Sequence, residues 1–230
     1  MKELLAPVRL ALVSYWPLML LIQFIGLCVT LTYFHVEGAS AIFSAIARTK
    51  SEGGLFFVVT TTILSGGVLP ELLKRLFCPE AAPAPRMKEL IHQFVMWGSI
   101  GILVDRFYWL QGVLFGFGQD LGTLIPKILV DQLIFTPLIA LPFIVSFFLL
   151  YEADYNLSRL RQHYSLRLIA SRVFPLWLTC LGFWPVMLAI IYSLPQDLQF
   201  PLFLFGNAAY SILMIFIARH QVQQYAPNLA

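Results

Sequence analysis

The sequence predicts an all-α protein: a polytopic bundle of about six transmembrane helices with both chain ends in the cytosol. Three observations carry that expectation. Hydrophobic residues make up 59% of the chain and charged residues only 12%, whereas a soluble domain carries about 25% charge. Mean hydropathy is +0.80. The apolar residues also run without a break, where the strands of a membrane barrel would alternate apolar with polar. With 230 residues the chain is long enough for a soluble domain but lacks the polar residues to clothe one, so lipid is the expected solvent. In lipid every backbone amide must be paired inside the structure, and with a barrel set aside helices are left.

Each span must cover roughly 20 residues to cross about 30 Å of hydrocarbon. Residues 10–36 carry no charge between Arg9 and Glu37 and make the first. A secretory signal is the competing reading, but its apolar region runs only about 7 to 15 residues, so this segment is expected to be retained. Residues 40–48 then read as a capped amphipathic helix at the interface, and residues 53–70, rich in Thr and Gly, as the second span. Three prolines within residues 79–86 mark a connecting loop. The third span starts near Leu90 and is interrupted by Asp105 and Arg106. Residues 132–151 make the fourth, beginning a turn or two earlier near Leu124. Residues 173–196 and 198–218 make the fifth and sixth, joined by the turn Pro195-Gln196-Asp197. The chain thus divides into an N-terminal part, residues 1–52, with one span and the interfacial helix, and a bundle of about five spans over residues 53–230.

Orientation follows from basic residues, which stay on the cytoplasmic side. Eleven of the fifteen Lys and Arg residues fall on one side of a six-span arrangement, leaving only Arg48, Lys50, Arg106 and Lys127 elsewhere. The formal charge of +3 is therefore a topology signal. No basic stripe interleaved with aromatics is present, so no nucleic-acid partner is expected. Cys28, Cys78 and Cys180 are isolated, and no two histidines share a helix face at metal-ligand spacing, so neither a metal nor any other cofactor is expected. The four histidines, including His92, read as interfacial.

Ionisable residues inside the spans are the most informative, since burying each costs at least about 2.5 kcal/mol. The candidates are Asp105, Arg106, Lys127 and Asp131. Lys127 and Asp131, four apart, share a helix face and can pair. Asp105 and Arg106 point about 100° apart, so each needs a partner from another element. At 1.5 Å per residue Asp105 lies roughly 22 Å into span three and Asp131 about 10 Å into span four from the opposite side. A net-neutral cluster of these four with Gln132 is therefore expected between spans three and four, acting as a polar crevice or as a salt-bridged lock. Gly98, Gly101, Gly112 and Gly116 have spacings that favour close helix approach.

Several blocks resemble the Mpv-type peroxisomal and mitochondrial membrane proteins. Lys127-Ile128-Leu129-Val130-Asp131-Gln132, followed by Phe135 and Pro137, is similar to that family's K-x-x-x-D-Q-x-x-F-x-P block. The stretch from Gly101 to Tyr108 resembles its G-P-x-x-H-x-W-Y block, with Ile102, Asp105 and Phe107 standing where the family has Pro, His and Trp. Trp184-Pro185 with Tyr192 and Pro195 resembles the W-P helix, and Asn207 with Ser211 resembles its N-x-x-x-S ending. The match runs from about Phe43 to the C-terminus, and the first span is an addition, which fits a remote relative. The resemblance implies a small multi-helix membrane protein acting as a pore or metabolite pathway, with Trp184, Pro185, Asn207 and Ser211 in helix packing.

The leading expectation is a small-solute channel; the alternative is a non-catalytic membrane scaffold or interaction protein. No nucleophile elbow or paired metal histidines is readable, so no enzyme is expected. The expected partners are the lipid bilayer, small solutes and, as an open alternative, further copies of the chain. The membrane would be the inner (plasma) membrane for a bacterial source and an organelle membrane for a eukaryotic one.

Overall fold

The computed structural model describes residues 16–77, 86–163 and 165–225. The predicted loop at 79–85, Cys78, and the opening of the first predicted span at 10–15 lie outside the described residues. Among the described residues every regular element is helical, as the unbroken apolar runs predict.

Helix α1, Trp16–His35, is apolar on all sides, yet one stripe points inward: Met19, Ile22, Gln23, Gly26 and Thr30 are buried. Their spacing of three and four is that of one helical face. It packs on α8 (Leu166–Tyr192) and α9 (Gln196–Tyr225), where the Gln23 side chain donates to the Phe183 carbonyl over 2.9 Å. A short 3₁₀ turn, Glu37–Ala39, leads into α2, Ser40–Thr62.

The expected interfacial helix and second span are one run. Helix α2 passes without a loop from Ser40 through Lys50 and kinks at Gly54, whose φ of 47° is open to glycine without strain. A wider π segment, Ile63–Val68, follows, then α3, Leu69–Phe77. The stretch Glu37–Leu76 has 40 residues, or about 60 Å of helix, twice the hydrocarbon thickness. The Gly54 kink divides it into a first part carrying Glu37, Arg48, Lys50 and Glu52 and a second part that is uncharged as far as Pro70. The polar Thr61 and Thr62 in that second part cost little, because their hydroxyls donate to carbonyls one turn back at 2.6 and 2.7 Å. Gly66 lies in the π segment against the Trp97 ring, where a Cβ would have no room.

Helix α4, Met87–Phe115, runs unbroken through Asp105 and Arg106 and ends at Gly116, whose φ is 91°. Asp120 caps α5, Leu121–Val130, by accepting from the Thr123 amide at 3.2 Å. A second π segment, Asp131–Ala140, joins α5 to α6, Leu141–Glu152. After a turn in which Asp154 and Tyr155 both have positive φ come α7, Leu157–His163, then α8 and α9.

Four stretches are long and apolar enough to cross a membrane: Trp16–His35, Glu37–Leu76, Leu121–Glu152 and Leu166–Tyr192. Helix α4, with Asp105 and Arg106 in its length, and α9 are the other two long helices that correspond to predicted spans. Outward-facing side chains such as Phe56, 78% exposed, and Leu138, 68% exposed, form an apolar exterior far larger than a soluble monomer carries. These features are compatible with an integral membrane protein. The core holds Met96, Phe183, Met187, Ile191, Tyr192 and Phe200, each under 3% exposed. Helix α8 touches α1, α5, α6 and α9 and so stands near the centre, while α4 touches α2, α5, α6 and α9.

The predicted packing residues divide. Gly98 and Gly101 do lie at a close contact: a Cβ on Gly98 would meet Val59 at 3.2 Å, and one on Gly101 would collide with Thr62. Gly112 gives room to Phe117 and Gln196. Gly116 is different, with open space around its Cβ position; it reverses the chain and brings no helices together. Trp184 packs beside Phe203 and Tyr210, Pro185 lies within α8, Asn207 donates to Ser65 at 3.3 Å, and Ser211 donates to the Asn207 carbonyl.

Candidate functional site

A polar cluster sits where α4, α5, the second π segment and α8 meet. Gln111, Lys127, Asp131 and Gln132 contribute to it and are 1%, 1%, 5% and 4% exposed. Tyr192, at the end of α8, supplies the hydroxyl that joins them and is itself buried.

The π segment sets the local geometry. With hydrogen bonds from residue i+5 back to residue i, Thr136 comes to lie beside Asp131, and its hydroxyl donates to Asp131 Oδ1 at 3.1 Å. Gln132 Nε2 donates to the same oxygen at 3.1 Å, and the Tyr192 hydroxyl donates to Oδ2 at 2.8 Å. Three donors thus saturate one buried carboxylate. The same register makes Pro137, which has no N–H, the residue that should have bonded the Gln132 carbonyl. That carbonyl instead accepts from Trp177 Nε1 of α8 at 2.7 Å. Gln111 closes the cluster from α4: its Nε2 donates to the Lys127 carbonyl at 2.9 Å and to the Tyr192 hydroxyl at 3.2 Å. Phe107 stacks on Phe135 with centroids 3.8 Å apart and planes within 4°, holding α4 against the π segment. Tyr108 meets Tyr192 edge to face at 5.2 Å.

The expected Lys127–Asp131 pair does not form. Asp131 turns toward Thr136 and Tyr192, and the Lys127 ammonium lies over the Tyr192 ring, 5.8 Å from its centroid. Among the described residues, the five ion pairs all engage other cations. The Oε1 atoms of Gln111 and Gln132 are buried without a partner among the described residues.

Asp105 and Arg106 do not join the four-residue cluster expected from the sequence. Asp105 pairs with Lys50 of α2 at 3.2 Å, both side chains about five-sixths buried, and Lys50 also lies 5.7 Å over the Phe200 ring. Arg106 is exposed. Sequence reasoning missed Gln111 as a member; its one signal was a lone polar residue in an apolar aromatic stretch. His92, read from the sequence as interfacial, is buried within the protein among Phe147, Tyr151 and Tyr155.

At one end of the bundle a surface ion pair and a hydrogen bond tie α4 to the end of α6 and the α6–α7 turn. Lys88 pairs with Asp154, and the Tyr151 hydroxyl donates to Glu89 at 2.6 Å. The Tyr151 hydrogen bond holds the Glu89 carboxyl below its usual range, and the Lys88 ammonium does the same for Asp154. No group of His, Cys, Asp and Glu arranged to hold a metal occurs among the described residues.

Comparison with known protein families, characterised proteins and solved structures finds no match to this chain.

Proposed function

We propose that this chain crosses the membrane six times with both ends in the cytosol, and that the cluster around Lys127 and Asp131 is the selective point of a passage for a small polar solute. One observation carries the reading: Lys127 is buried with no carboxylate of the described residues on its ammonium. A lock between helices would recover the cost of burial, about 2.5–3.5 kcal/mol per charged residue in a membrane, by pairing Lys127 or Asp131 with an opposite charge on another helix. Here both are buried and kept apart, as a site with work for the free charge requires. The similarity of the Lys127 to Pro137 block to the Mpv-type family supports the same reading. Asp105 belongs to a separate support, the Lys50 pair between α2 and α4.

A second reading, a membrane scaffold without transport, has its own support. Asp131 has three internal donors, and Trp177 and Gln111 spend their donors on backbone carbonyls, an arrangement that fixes helices to one another. Solute efflux and single-channel conductance of the purified chain in liposomes separate the two. Asp131→Asn is expected to alter flux if the cluster lines a passage, with Asp105→Asn having the smaller effect. A wild-type protein that is folded, inserted and silent would overturn the passage and leave the scaffold.

A further inference from the structure

Deepening the reading of this cluster as a solute site, and resting on it, we infer that the Lys127 ammonium binds a small monovalent anion, either a halide-sized ion or a short carboxylate.

Neither Lys127 nor Asp131 has an oppositely charged partner among the described residues, and of the two it is Lys127 whose hydrogen-bonding groups are left open. Asp131 already accepts from Tyr192, Gln132 and Thr136, so both its oxygens are engaged by neutral donors. The Tyr192 ring keeps the two charges apart: its hydroxyl edge belongs to Asp131 and its face to Lys127. Asp105 is held by Lys50, Asp154 by Lys88, Glu152 by Arg172, Glu52 by Arg48 and Glu71 by Arg75. Gln111 cannot compete for an anion, because its amide donors are committed to the Lys127 carbonyl and Tyr192.

A buried ammonium that lies over a ring face and has no carboxylate partner among the described residues keeps its hydrogen-bond donors for something that arrives. In a low-dielectric site that something is an anion: a cation would be repelled, and water returns only part of the lost solvation. The site must also be small, since Lys127 is 1% exposed and its neighbours Tyr192 and Gln111 are fixed by hydrogen bonds. That excludes polyphosphates and bulky acids and favours single small ions.

The test is equilibrium binding, which does not depend on transport. The full chain in uncharged detergent is melted in sodium chloride, nitrate or acetate against sodium gluconate at constant ionic strength. Wild type is expected to gain stability in a saturable way with the small anions, as a ligand of the folded state does. Lys127→Gln is expected to weaken the apparent affinity about tenfold or more, and Lys127→Arg, which keeps the charge, to stay within about threefold. If Lys127→Gln does not fold, Lys127→Met takes its place, and an anion response that survives in it overturns the inference equally. A wild-type melting temperature indifferent to anion identity overturns the inference, as does a response that survives in Lys127→Gln. Anion binding through Lys127 beside silent liposomes supports this inference and overturns the passage; flux without Lys127-dependent binding does the reverse.

Discussion

The Tyr192 hydroxyl donates to Asp131 across 2.8 Å, and that bond ties the C-terminal end of α8 to the first residue of a π segment. Both partners are buried, so no water stands ready to replace the donor. Tyr192→Phe keeps the ring and its edge contact with Tyr108 but leaves Asp131 Oδ2 and the Gln111 amide each short of a partner. The expected loss is about 1–3 kcal/mol, read as a lower midpoint in detergent-mediated unfolding. The Tyr192→Phe/Asp131→Asn double variant should cost less in total than the sum of the two single changes, because the buried charge is gone. Full additivity would mean that the two residues do not interact.

Lys50 and Asp105 connect α2 to α4 at 3.2 Å with little exposure on either side. A double-mutant cycle with Lys50→Met and Asp105→Asn is expected to give a coupling of about 1–2 kcal/mol. An exposed surface pair would give about 0.5 kcal/mol or less. A value in that lower range would make the contact incidental to how α2 and α4 dock.

These two contacts also mark what was legible in the chain. The charge-poor runs predicted the helices, and Lys127, Asp131 and Gln132, which the sequence reading placed together, lie buried in one polar cluster. Their partners were not readable. A spacing of four residues implies a shared face only while the helix keeps 3.6 residues per turn. Between Lys127 and Asp131 that face is kept, since the Asp131 amide still bonds the Lys127 carbonyl; the turn widens only beyond Asp131, and Thr136, five residues on, with Gln132 and Tyr192 takes the carboxylate that the regular spacing assigns to Lys127. Asp105 was misassigned for another reason: a break was expected between residues 48 and 53, which put Lys50 in a connection. Helix α2 instead carries Lys50 onto the face of α4. Gln111 and Tyr192 come from helices distant in sequence, and no local pattern links them.

The surface ties at the α4 end give a pH dependence with a definite sign. Glu89 and Asp154 both have folded-state pKa values below their ordinary ones, through Tyr151 and Lys88 respectively. A depressed carboxylate contributes stability above its unfolded pKa and loses it as pH falls through the folded value. The melting temperature is therefore expected to hold from pH 7 to about 5 and to decline below about pH 4. Lys88→Met should flatten the Asp154 share of that decline. An identical acid profile in the variant would show that the Lys88–Asp154 pair has no influence on folding.

Trp177 and Pro137 form the most specific test of the π segment. If the five-residue register leaves the Gln132 carbonyl without a partner because Pro137 has no N–H, the indole at 2.7 Å fills a vacancy that the sequence itself created. Trp177→Phe then strips a buried carbonyl of its donor and is expected to destabilise by about 1–3 kcal/mol, including the unpaired acceptor. Pro137→Ala restores a backbone N–H in register with Gln132. In the Trp177→Phe background it should recover part of the loss, whereas in wild type, where the carbonyl already has its indole, the gain should be smaller. Equal effects of Pro137→Ala in both backgrounds would mean that the indole and the missing amide serve different acceptors, and that the π register owes nothing to Trp177.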